Sequence, residues 1–155
     1  MLVARNAERL DHVAKEIGQE HGVEVAWHSL DASTCGPIEM QDFVNDLENK
    51  LRTRAGSLGM LVNNVGVHNR RPVSVKDMDP DEVDRIITVN CSFTVRITAA
   101  LLPFLKRHAA SSSNTRSAIL NVSSLTSTSP MPMLAVYAAT KTFCDQWSRC
   151  LACEV

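Results

Sequence analysis

Aromatic side chains are scarce: four Phe, two Trp and a single Tyr in 155 residues. Basic residues are dispersed rather than clustered, and 16 Lys and Arg against 17 Asp and Glu leave a net charge of -1. That balance gives no electrostatic reason to expect nucleic acid or an anionic membrane as partner. No uninterrupted apolar run approaches the ~20 residues needed to span a bilayer. The longest, Ala99 to Leu105, is short and contains Pro103. No secretory signal pattern opens the chain, and on these grounds it reads as soluble and cytoplasmic. Five cysteines, an odd number without regular spacing, argue against a disulfide framework and for a reducing compartment. Cys150 and Cys153 form a C-x-x-C, but no second ligand pair accompanies them. The histidines (His12, His21, His28, His68, His108) have no metal-binding spacing.

What is present is an ordinary globular composition, 45% hydrophobic and 21% charged, in a length that suits one domain. Met1 to Ala4 reads as the tail of a buried strand. Asn6 suits a helix N-cap, with Leu10, Val13, Ala14 and Ile17 at helical spacing and Gly22 as the stop. Val23 to Leu30 reads as a strand. Pro37 opens a second helix, with Met40, Phe43, Val44, Leu47 and Leu51 on one face. Leu58 to Val62 is a short strand running into the turn Asn63-Asn64-Val65-Gly66. Asp79, followed three residues later by Glu82, marks a capping box and a helix running through Asn90 to about Leu105. Ala118 to Val122 is another strand. A final helix starts near Ala135 and is expected to continue to the end of the chain. Alternating strands and helices imply an α/β doubly wound parallel sheet. Ligands in such sheets sit beyond the carboxyl ends of the strands, where Arg5, Asp31, the Asn63 to Gly66 turn and Ser124 all fall.

The chemistry concentrates at Tyr137 and Lys141, four apart and so on one helix face. An ammonium near a phenol favours its ionised form, and a phenol so placed can exchange a proton with a carbonyl oxygen. Alone, such a pair is common on solvated helices. Ser124, just past a strand, could donate a hydrogen bond to a substrate oxygen, or be only a turn former. Gly66 permits close backbone approach. Asn90 is polar in the middle of an apolar helix and should have a buried partner. Arg5 offers a guanidinium suited to phosphate, against the plain reading of an exposed Arg opening a helix. Asp31 could accept from an adenine amino group or cap a turn.

In this order, these elements resemble the short-chain dehydrogenase/reductase family. Asn63-Asn64-Val65-Gly66 is similar to that family's N-N-A-G turn, with Val in place of Ala. Asn90, Asn121-Val122-Ser123-Ser124 and Tyr137-x-x-x-Lys141 follow at intervals of 26, 34, 13 and 4 counted through Asn64, Asn90, Ser124, Tyr137 and Lys141. The resemblance implies a Rossmann-like fold with Tyr137 as general acid/base and Lys141 lowering the pKa of that phenol and holding the nicotinamide ribose. It implies that Ser124 polarises the substrate carbonyl and that Asn90 supports a water-linked proton relay. Asn64, Val65 and Gly66 would lie against the cofactor, and Asp31 would contact adenine. Arg5 sits where members preferring NADP(H) over NAD(H) place a basic residue.

The Val form of the turn, Pro130-Met131-Pro132-Met133-Leu134 and Tyr137-Ala138-Ala139-Thr140-Lys141-Thr142-Phe143 are similar to the very-long-chain 3-oxoacyl-CoA reductases and related 17-beta-hydroxysteroid dehydrogenases. Those members act on lipid or steroid ketones with NADPH in the endoplasmic reticulum membrane. Relatives often pair through the helices carrying Asn90 and Tyr137, so a second copy of the chain is an expected partner. The family's Gly-rich T-G-x-x-x-G-x-G turn and first strand, its last strands and its membrane anchor have no counterpart here. Residues 1–155 are therefore expected to form a partial NAD(P)-binding Rossmann domain. Two functional expectations follow: an NADPH-dependent ketone reductase, or an inactive truncated fragment or pseudoenzyme that at most associates with a full-length relative.

Overall fold

The computed structural model describes residues 1–155. They divide into two compact units, Met1–Leu58 and Gly59–Val155, each holding one parallel pair of strands.

The first unit contains β1 (Leu2–Ala4), α1 (Ala7–His21), β2 (Trp27–Ser29) and α2 (Pro37–Thr53). Asn6 caps α1 as expected, its side-chain oxygen accepting from the Arg9 N–H at 2.8 Å. Gly22 closes the helix in the left-handed region, φ 65°, donating its N–H to the Gly18 carbonyl. Pro37 takes the first position of α2, and the Glu39 carboxylate accepts from the Gly36 N–H at 2.9 Å. Of the expected apolar face of α2, Phe43 and Leu47 are fully buried and Met40, Val44 and Leu51 partly so. The strand expected over Val23 to Leu30 shortens to Trp27–Ser29, because β1 offers only three partner residues, from Leu2 opposite Trp27 to Ala4 opposite Ser29.

The second unit contains β3 (Met60–Asn63), α3 (Pro80–Ile87), a π-helical turn (Thr88–Phe93), α4 (Thr94–Ala109), β4 (Ala118–Asn121) and α5 (Ala135–Leu151). β3 and β4 pair in parallel from Met60 opposite Ala118 to Asn63 opposite Asn121. Leu61 and Asn63 are buried, whereas Met60 and Val62, pointing the other way, are exposed. Asp79 caps α3 by accepting from the Asp81 N–H at 3.1 Å. The expected capping box does not form: the Glu82 carboxylate turns outward to accept from the Arg70 N–H at 2.7 Å, satisfying a loop amide instead.

The helix through Asn90 reaches Ala109 rather than Leu105, and Pro80–Ala109 is continuous over 30 residues. By length and composition alone it would suffice to cross a bilayer, which single apolar runs do not reveal. Its buried face carries Asn90, Thr94 and Thr98 beside Ile86, Phe93 and Leu101, and it packs on β3 and α5 within this unit. At its other end the chain also departs from expectation. α5 stops at Leu151, with the Ala152 N–H donating to the Ser148 carbonyl, so Val155 lies past the helix rather than inside it.

The family sheet order implied by the resemblance is 3-2-1-4-5-6-7. Without strand 1, the surviving neighbours are 3 with 2 and 4 with 5. Those are the two pairs observed, β2 with β1 and β4 with β3.

Candidate active site

The second unit brings Gly66, Asn90, Tyr137 and Lys141 together. Tyr137 lies in the first turn of α5 and Lys141 one turn on, its Nζ 5.9 Å from the centroid of the phenol ring. Lys141 is 5% exposed. Its amine donates to the Val122 carbonyl at 2.8 Å, at the end of β4. A Cβ added at Gly66 would stand 3.3 Å from Lys141 Nζ and 3.6 Å from Asn90 Oδ1. The turn after β3 therefore presses its backbone onto the amine, and glycine supplies the clearance.

Asn90 is 1% exposed and sits inside the π-helical turn. Such turns recur at functional sites, because the extra residue re-aims a side chain. Both ends of its amide are used. Oδ1 accepts from the Val67 N–H at 2.8 Å, while Nδ2 donates to the Val67 carbonyl at 2.8 Å and to Thr140 Oγ1 at 2.9 Å. Thr140 Oγ1 in turn donates to the Tyr137 carbonyl at 2.7 Å. Asn90 thus ties the turn after β3 to the helix carrying Tyr137, and its expected buried partners are present.

Ser124 opens a short 3₁₀ turn, Leu125–Ser127, that packs on α5. Its Oγ accepts from the Thr126 N–H at 3.2 Å and the Thr126 hydroxyl at 3.1 Å, leaving its own proton to donate. Ser123 points elsewhere, as the one-residue offset predicts: its hydroxyl donates to the Lys141 carbonyl at 3.3 Å. Asn64 and Val65 are exposed at the tip of their turn, Val65 at 40%.

The first unit holds the other two candidates. Arg5 is exposed after β1, and its carbonyl accepts from the Ser29 hydroxyl at 3.1 Å. Asp31 follows β2. Its Oδ1 accepts from the Ser33 hydroxyl at 2.6 Å and the Ser33 N–H at 2.8 Å. Those two bonds hold its carboxyl below the usual carboxylate range, with the nearby Arg5 charge adding to them. Asp31 thus caps its own turn through Oδ1.

Several residues that shape the site escape sequence reasoning. Asn63 Nδ2 donates to Thr98 Oγ1 at 2.9 Å and to Asn121 Oδ1 at 2.8 Å, and Asn121 Nδ2 donates to Ser148 Oγ at 2.8 Å. This chain of amides joins β3, β4, α4 and α5 directly beneath the turns that carry the chemistry. The available signal was polar residues at the ends of two otherwise apolar strands. Thr140 had a signal too, one residue before Lys141 and three after Tyr137. Hydroxyls of Ser127, then Ser123, hold the Asp145 carboxyl below its usual range. Burial pushes the Cys91 thiol, beside Asn90, up to about 11.

Comparisons with known proteins identify the family. The family profile described as short chain dehydrogenase matches residues 1–155. Among curated relatives, a very-long-chain 3-oxoacyl-CoA reductase of Laccaria bicolor is 36% identical over 99% of this chain and 42% of its own length. The enzyme of the same name from Podospora anserina is 33% identical over 100% of this chain and 42% of its own length. This chain therefore spans less than half of either relative. Among solved structures, a short chain dehydrogenase from Escherichia coli CFT073 complexed with NADPH superposes with a TM-score of 0.82 at 26% identity, covering 99% of this chain and 59% of that one. A chain that matches the family profile throughout and sets its Asn, Ser, Tyr and Lys residues on these strand ends and helices belongs to the short chain dehydrogenase family.

Proposed function

We propose that this chain carries the acid/base centre of an NADP(H)-dependent reductase that converts a ketone to an alcohol, the ketone being a 3-oxoacyl-CoA or a steroid-like molecule. The observation that carries the reading is the buried Lys141 amine, held between the Val122 carbonyl and Gly66 one helical turn from Tyr137. A buried amine costs free energy unless it is bonded, and this one is held by the Val122 carbonyl beside the chain's sole tyrosine.

In this reading the Tyr137 hydroxyl gives its proton to the ketone oxygen and takes it back in the reverse direction. Lys141 stands one helical turn away, its Nζ 5.9 Å from the centroid of the phenol ring. Ser124 donates its free hydroxyl proton to the same oxygen as charge develops there. Asn90 holds Gly66, Val67 and Tyr137 in mutual register and supports the proton relay. The nicotinamide supplies the hydride when bound. Lys141 would hold its ribose, Tyr137 would also contact the cofactor, and Asn64, Val65 and Gly66 would lie against it, the exposed turn with its close backbone fitting a flat group. Asp31 would take the adenine and Arg5 the 2′-phosphate of NADP(H). The 3-oxoacyl-CoA follows the names of the relatives; the steroid-like ketone, an endoplasmic reticulum location and pairing with a second copy through the Asn90 and Tyr137 helices rest on the family resemblance.

A second reading is favoured by the 42% span relative to the two reductases and by sheets of only two strands each. In it, the 155-residue chain does no chemistry alone and at most associates with a full-length relative. Oxidation of NADPH by the purified chain with a 3-oxoacyl-CoA, followed by absorbance, separates the two. Turnover that disappears in Tyr137→Phe supports the first. Absence of both turnover and NADPH binding, with co-elution of the chain with a full-length relative in size-exclusion chromatography, supports the second.

A further inference from the structure

The loop between β3 and α3 carries His68 against the reactive phenol. The two rings lie 6.0 Å apart between centroids with planes at 79°, an edge-to-face arrangement. His68 Nδ1 lies 2.6 Å from the Asn69 carbonyl oxygen. A carbonyl only accepts, so Nδ1 bears the hydrogen and the ring is fixed in both tautomer and orientation.

The loop that presents this ring is itself anchored. Arg85 Nη2 donates to the His68 carbonyl at 3.1 Å. Asn69, 2% exposed, donates from Nδ2 to the Met133 carbonyl at 3.4 Å, and the Val73 N–H donates to that same carbonyl at 3.2 Å. Met133 occupies the left-handed region at φ 65°, where a non-glycine residue is uncommon and persists only when its surroundings hold it. Met133 stands two residues before α5 and four before Tyr137. The loop therefore reaches the phenol twice, through the His68 ring and through the backbone that leads into its helix.

We infer that His68 is a positioning residue for Tyr137, its ring packing edge-to-face on the phenol so that the hydroxyl is aimed while Lys141 flanks the other contact. This rests on the acid/base reading of Tyr137 and adds to it a residue outside both the Asn63 to Gly66 turn and the Tyr137–Lys141 pair.

Because the chain has one tyrosine, isotope-labelled tyrosine gives a single set of ring signals in the intact 155-residue protein. Ring relaxation then reports how firmly Tyr137 is held, with no need for cofactor or turnover. In His68→Ala the ring order parameter should fall; in His68→Phe, which keeps an aromatic edge, it should return to the wild-type value. Amide signals from β3, β4 and α4 of the second unit, unchanged in both, show that this unit is still folded. An unaltered ring in His68→Ala, or a failure of Phe to restore it, overturns the inference. Loss of NADPH turnover in all forms alongside an intact ring effect would instead strike at the reductase reading. Where turnover is measured, His68→Ala should lower kcat by roughly ten- to a hundredfold through misplacement of the phenol, with KM little changed.

Discussion

The two units differ in what they bury. All eight buried polar or charged side chains, Asn63, Asn69, Asn90, Thr94, Thr98, Thr126, Thr140 and Lys141, belong to the second unit. The first buries only apolar groups, with Phe43 and Leu47 of α2 and Leu10 and Ala14 of α1 at its centre. A buried polar group destabilises unless it is bonded, so the second unit is specified by a hydrogen-bond network, in which Asn69 Oδ1 and Arg85 Nε are the buried side-chain atoms left without a partner. The first is specified by apolar volume, and its functional candidates, Arg5 and Asp31, stand on the surface where tolerance is greater. The lesson is that the two units of this chain are built by different physics.

The contrast is open to direct attack, since each unit carries one tryptophan, Trp27 in the first and Trp147 in the second. Single-tryptophan variants followed by denaturant unfolding therefore read each unit separately. Phe43→Ala empties the apolar centre of the first and should cost about 3–5 kcal/mol at the Trp27 probe. If the units are as independent as their internal packing indicates, Trp147 will register much less. Asn90→Leu leaves the Val67 amide and carbonyl and the Thr140 hydroxyl without their partner, and should cost about 2–4 kcal/mol at the Trp147 probe. A shift under 1 kcal/mol, taken as the size of one ordinary hydrogen bond, would mean the network is not what specifies the second unit.

Acid separates the units more gently. Asp31 in the first and Asp145 in the second both have carboxyls held below the usual range by serine donors. A depressed folded-state pKa means that the stabilisation is fully present above the unfolded value of about 3.9 and disappears as pH falls through the folded value. Ser33→Ala should therefore raise the Asp31 titration midpoint, and Ser127→Ala that of Asp145. Carbon-13 carboxyl titrations check both, and an unmoved midpoint would remove the serine as the cause.

The smallest expected effect lies among the thiols. Cys150 and Cys153 are exposed, whereas Cys91 is raised to about 11 and Cys144 is buried and also raised. Because the thiolate is the nucleophile, alkylation at neutral pH should mark Cys150 and Cys153 first. Mass-spectrometric peptide mapping that found Cys91 labelled early would show the π-helical turn opening.

Much of this was legible beforehand. Asn6, Gly22, Pro37 and Asp79 announced helix ends because capping is local chemistry, decided within four residues. The order and spacing of Asn64, Asn90, Ser124, Tyr137 and Lys141 announced the family. Strand lengths were not legible, since Val23 to Leu30 could pair only as far as β1 extended. Nor was the destination of Glu82, whose carboxylate found a loop amide twelve residues back instead of its own helix start.

The residues by themselves determined which helices form, where they are capped, and that a tyrosine and a lysine share one helical face, all of which depend on neighbours a few positions away. Only the tertiary structure decided that Asn90 would spend both ends of its amide on Val67 and Thr140, that Gly66 would lie against the Lys141 amine, and that His68 would meet the phenol. Those contacts join residues 23 to 75 positions apart along the chain, set by packing that no local pattern encodes.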